Sequence, residues 1–183
     1  MANEVLVKQL TPIVWANDGA GGGDYAGDGG AETHDLYLTS LAAAGARQGV
    51  KADLTATRAS RFAVTLRVEF DVAPADAKTV DVYMGPSLSG TAATANPGGL
   101  TGADAAYTGT AGSTLAESLL QLDFVGSLMC TNDAAAVVLQ QTFVYSPALR
   151  YVSPVVVNNA DQAFEGDAVE MSLTMTPLVD EIQ

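Results

Sequence analysis

The sequence predicts an all-β protein, an antiparallel β-sandwich or jelly roll with long Gly/Ala/Thr-rich loops. Three observations lead there. Apolar and polar residues alternate with period two in several segments, most clearly in "RFAVTLRVEFDV", the pattern of a strand with one buried and one wet face. Turn-forming clusters such as "TND" and "NPGG" separate these segments. Helical patterning is confined to one short stretch, and many short strands with polar turns argue for a sandwich.

Taken in order, "EVLVKQL" and "PIVWA" admit strands, as do "HDLYLTSL" and "VKADLTA". In "RFAVTLRVEFDV", Phe62, Val64, Leu66, Val68, Phe70 and Val72 fall on the buried phase. Arg67, Glu69 and Asp71 fall on the wet one. "TVDVYM" repeats the pattern with Val80, Val82 and Met84. The short connector "APADAK" between the two suggests an antiparallel pair. "GSTLAESLLQL" reads as a helix capped by Ser113 or Thr114 with Glu117 in its first turn, or as a turn running into a strand. "LLQLDFVGSLMC" places Leu120, Leu122, Phe124, Leu128 and Cys130 on one face. "AVVLQQTFVY", "LRYVSPVVV" and "VEMSLTMT" complete a set of roughly eight to ten strands.

The 183 residues suffice for one domain with a sizeable core, spanning 1–183. Within it we expect an N-terminal arm, 1–16, and two long loops, 17–35 and 85–113. The net charge of −13 repels phosphate backbones and anionic bilayers, so neither nucleic acid nor membrane is an expected partner. The N-terminus carries only a three-residue apolar run, Val5 to Val7, before Lys8. A secretory signal needs roughly 7–15 apolar residues, so synthesis and retention in the cytoplasm are expected. Cys130 is the single cysteine, which excludes an intrachain disulfide and a Cys-based zinc site within one chain. Its place beside Leu128 on the apolar phase predicts a buried, inert thiol.

No catalytic, cofactor or metal residues are assigned. The loop 17–35 offers Asp18, Asp24, Asp28, Glu32 and Asp35 among glycines, oxygen ligands of the kind calcium takes. It has no EF-hand spacing and only one ragged Gly/Asp copy, so a solvated loop is the preferred reading. His34, the single histidine, lacks a G-x-S-x-G partner serine and reads as a surface residue. Arg58, Arg61 and Arg67 read first as local neutralisers of Glu69, Asp71 and Asp81, and second as a docking patch. Trp15 is either core or an anchor in an arm that reaches a neighbour.

The stretch from Gly85 to Ser113 holds a single residue of the Asp/Glu/Lys/Arg set, Asp104. Loops this long in a compact domain are functional or disordered. Small side chains order at little entropic cost, so this one is expected to be ordered by contact, with its own sandwich or with an adjacent subunit. Trp15, Pro97, Leu100 and Tyr107 are the candidate interface residues.

The segment "TVDVYMGPSLSGTAATANPGGLTGADAAYTGTAGS", together with "NDGAGGGDYAGDGGAETHDLYLTSLAAAGARQGVKADL" and the ending "AVEMSLTMTPLVDEIQ", resembles small virion structural proteins of tailed bacteriophages. The resemblance covers most of the chain and rests on overall texture. It implies a non-enzymatic head decoration, or cement, protein on the virion, a homo-oligomer with a trimer favoured, contacting the major capsid protein or other virion proteins. The alternatives are a tail or neck component and, from another class, a carbohydrate-binding sandwich module.

Overall fold

The computed structural model describes residues 5–17, 25–27, 30–54, 59–133, 135–167 and 169–182. Its first half contains strands β1 (Val5–Gln9), β2 (Ile13–Ala16), β3 (His34–Asp35), β4 (Ala46–Gln48), β5 (Ala52–Asp53), β6 (Arg61–Val68) and β7 (Thr79–Ser87). Its second contains β8 (Ala105–Ala106), helix α1 (Leu115–Leu119), β9 (Asp123–Met129), β10 (Leu139–Tyr145), β11 (Tyr151–Asn158) and β12 (Ser172–Ile182). Two sheets result. One runs β10-β6-β12-β2-β3 with β1 also on β12, and the other β8-β4-β11-β7-β9 with β5 also on β11. Pairing is antiparallel except between β2 and β3. The all-β sandwich expected from the alternation is the fold.

The main core lies between the sheets. Phe62, Val64, Leu66 and Val68 face it from β6, Val80, Val82 and Met84 from β7, Val152 and Val156 from β11, and Leu173 and Met175 from β12. The expected arm is part of this body: β1 pairs with residues 178–182 of β12 and β2 with residues 173–175. Trp15 on β2 is fully buried, and its indole Nε1 donates to the Val50 carbonyl at 2.7 Å.

Three local expectations are corrected. β6 and β7 do not pair with each other; they sit in opposite sheets. The connector leaves the ladder at Glu69, where Phe70 bridges Phe164 instead, so Val72 is 52% exposed and Glu69 is buried. Along β9 a bulge opposite Val82 and Tyr83 inserts one extra residue: Val82 faces Gly126, but Tyr83 faces Phe124. A bulge reverses the side-chain phase beyond it. Leu128 therefore points into the core and Phe124 stands 57% exposed on the outside. Leu120 lies before the strand, in the turn after α1, and is 86% exposed.

Of the expected helix, five residues form it. Thr114 is its N-cap, and Glu117 closes a capping box on the Thr114 backbone N–H. After the helix, a turn leads from α1 directly into β9.

Candidate assembly surface

β11 contains the run "VVV", and nearly all of its residues are buried. Alternate residues of a strand face opposite sides, so both faces of β11 are covered. The inner cover is the main core. The outer cover is the long neutral stretch itself. Val155, Val157 and Ala46 on the outside of the second sheet pack under Leu100, Tyr107 and Leu122, with Leu115 and Leu119 of α1 beside them. Residues 88–122, joined to the sheet edge through β8, thus form a third layer on the sandwich.

Side chains of the sheet hold this layer. Lys51 has its ammonium buried at the base of the loop, where it donates to Ser87 Oγ and to the carbonyls of Ser89, Thr91 and Thr94 at 2.8–3.1 Å. Burial pushes the Lys51 pKa down. An ammonium has three donors, so four acceptors leave none of its protons unused. Asp104, the lone acid of the stretch, receives Arg47 in a two-pronged ion pair and also accepts from the Tyr37 N–H. Further out, Gln48 Oε1 accepts from the Thr101 N–H, the Tyr107 hydroxyl donates to the Gly98 carbonyl, and Asn96 Nδ2 donates to the carbonyls of Ala92 and Leu100.

Trp15, Leu100 and Tyr107 are buried within the chain, and Pro97 is half-buried. Three of the four expected interface residues therefore spend their side chains on the chain's own cores. What the loop part of the layer, before α1, presents outward is small and uncharged: Thr91 to Ala95, Thr108 and Thr110 to Gly112 are exposed. Large apolar groups stand among or beside them, with Leu88 78% exposed, Leu120 86% and Phe124 57%. The Phe124 ring rests edge-on against Tyr83, centroids 5.2 Å apart.

Where the layer meets the rim of the sheet at β8 and β4, a groove of about 430 Å³ opens between Leu41, Ala44 and Ala46 on one side and Ala106, Tyr107 and Leu115 on the other. None of its lining residues is ionisable in the neutral range.

The remaining candidates are separated from each other. His34 stacks near Trp15, centroids 5.7 Å apart, and bonds Thr33 Oγ1 through Nδ1; burial lowers its pKa despite Asp35. Arg61 pairs with Asp180 rather than with Glu69, Asp71 or Asp81. Arg58, Asp18, Asp24 and Asp28 lie outside the described residues. Cys130 is buried, which raises its pKa to about 11. Glu69 is buried near Glu170, Asp167 and Glu165, and desolvation with these like charges raises its pKa. Among the described residues no group of three or more His, Cys, Asp or Glu side chains is placed to hold a metal ion, and no helix is long and apolar enough to cross a membrane.

Lys51 and Arg47 were not singled out by pattern. The two-sided burial of β11 does have a sequence signal, its unbroken apolar run, since strands covered on both faces lose their alternation. No known family model matches the sequence, and neither does any curated protein.

Proposed function

We propose that this chain is a non-enzymatic structural protein of a tailed-phage virion, one that decorates or cements the capsid exterior. It assembles as a homo-oligomer, with a trimer favoured, and contacts the major capsid protein or other virion proteins. It is synthesised in the host cytoplasm and ends on the virion. The observation that carries this reading is the third layer. A long stretch is committed to sealing an outer sheet face and to presenting a surface of small, neutral side chains. Such a surface docks at little side-chain entropic cost. The bacteriophage assignment comes from the resemblance in sequence texture. A carbohydrate-binding module is less well supported, because Trp15, Tyr107 and Tyr145 are buried and the exposed Phe124 meets Tyr83 edge-on rather than in a flat platform.

Electron microscopy of particles carrying the protein tests the reading. Density with the shape of this sandwich on the outer capsid lattice is expected. Density in the tail or neck selects the alternative, and purified particles without the chain overturn the proposal.

A further inference from the structure

We propose that Glu69 and Glu170 form a proton-operated latch. While one proton is held between their carboxyl groups, residues 165–170 are clasped to the end of β6; when that proton leaves to solvent, the segment lifts. The inference concerns the connector between β11 and β12 and does not rest on the proposed function. Along this end of the β6–β12 ladder the last pair is Arg67 with Ser172. Two residues further along each chain, Glu69 and Glu170 meet, side chain hydrogen-bonded to side chain. Ionised carboxylates only accept hydrogen bonds, so this contact contains a proton. Glu69 is 7% exposed, and a buried charge is costly unless it is paired. The charged neighbours do not pair it. The connector contributes Glu170, Asp167 and Glu165. Arg67 and Asp71 lie two residues to either side on its own segment. The adjoining segments 38–41 and 135–138 bring no ionisable side chain, and 25–27 brings only Tyr25. Among the described residues no lysine or arginine forms an ion pair with Glu69.

Fixed points on both sides bound what moves. Asn158 Nδ2 donates to the Gln162 carbonyl and Phe164 packs on Phe70, which holds the first part of the connector. Ser172 begins β12, which holds its end. Between these points three backbone hydrogen bonds secure the segment: the Glu165 N–H donates to the Glu69 carbonyl, the Ser40 N–H to the Glu165 carbonyl, and the Ala26 N–H to the Val169 carbonyl. Loss of the shared proton sets two carboxylates against each other beside Asp167 and Glu165, and like charges this close resist joint ionisation. Lifting residues 165–170 relieves the repulsion and breaks these bonds. Because Ala26 belongs to the acidic stretch 17–35, opening also releases that stretch from its anchor at Val169. Proton binding favours the closed form, so the latch is closed in acid. It opens as pH rises from the ordinary carboxylate range through the raised value of Glu69.

Amide hydrogen exchange followed by NMR, corrected for the intrinsic pH dependence of exchange, reads the opening directly. The Ala26, Ser40 and Glu165 amides are expected to open several-fold more often above the titration of the pair than below it. The Phe164 amide, bonded to the Leu41 carbonyl on the fixed side, should keep its protection. A carbon-detected titration should place the Glu69 carboxyl above the ordinary carboxylate range. Glu69→Gln replaces the shared proton with an amide N–H that the Glu170 carboxylate accepts at neutral pH. It is expected to hold the three amides at their acid-level protection and to remove their pH dependence. Should that variant misfold, Glu170→Gln makes the same substitution from the other side. Opening of the unmodified protein that does not change with pH overturns the proposal. So does a Glu69 carboxyl that titrates in the ordinary range, or a pH dependence that survives in the folded variant.

Discussion

Lys51 is the residue on which the loop layer depends most directly. Its ammonium gathers one hydroxyl and three backbone carbonyls, and removing it leaves the single Ser87 hydroxyl proton to be shared between the Ser89 and Thr94 carbonyls. Each buried acceptor left unpaired costs about 1–3 kcal/mol. Lys51→Met should lower unfolding stability by about 2–4 kcal/mol in a denaturant titration. Lys51→Arg should not restore it, since a planar guanidinium cannot reproduce the compact point charge. Glu69 behaves in the opposite sense. Burial and its acidic neighbours raise its pKa in the fold, so the native state holds this proton more tightly than the unfolded chain. Stability from this group is present at low pH and is lost as pH rises from the ordinary carboxylate range through the raised folded value. Glu69→Gln is therefore expected to raise Tm at pH 7 by about 2–4 °C and to leave it nearly unchanged at acid pH, as scanning calorimetry at the two pH values would read. Neither residue was legible in the sequence. Glu69 continues the wet phase of an alternating strand, and only the departure of the chain from the ladder after Val68 turns it inward.

At the scale of elements, turns and close approaches decide what periodicity alone does not. Gly99 has a φ of +76°, and a Cβ on it would lie 2.5 Å from the Thr110 nitrogen. Two limbs of the layer touch there, backbone to backbone. Gly112 also has a positive φ, of +87°, but open space around its Cβ position. Gly99→Ala is thus expected to cost about 2–3 kcal/mol, against about 1 kcal/mol for Gly112→Ala, where only the left-handed backbone resists. Equal losses for the two would remove the packed-layer explanation. The end of β6 offers a second test. Phe70 is 2% exposed and meets Phe164 edge-to-face at 5.1 Å, so Phe70→Ala should destabilise by about 3–5 kcal/mol. β6, β7, β10 and β12 were all visible from alternation, because each has one face against the main core. β9 was read with a single face throughout and was wrong before Gly126, since a bulge leaves no mark on the apolar pattern. "HDLYLTSL" and "VKADLTA" were read as longer strands, but only the two-residue β3 and β5 form there, and β8 is too short for any period to show.

For the whole molecule, the asymmetry of the sandwich matters more than its strand count. The chain's own loop and short helix cover part of one outer face, so β11, at the centre of the second sheet, is buried on both sides. The fold class and the importance of the neutral stretch were readable from composition and period. Which sheet the stretch would cover was not, because that depends on contacts made across 40 or more residues, such as Arg47 with Asp104 and Lys51 with Thr94. The layer is held by partners within one chain, and its order should not need a neighbour. Hydrogen exchange over residues 88–122 of the isolated protein, diluted until it is monomeric, tests this most directly. The Thr101, Tyr107 and Leu122 amides are hydrogen-bonded within the chain, and the account predicts protection there approaching that of β6 and β11. Exchange of this whole stretch at the rate of an unstructured peptide, with protection appearing only on assembly, would contradict it.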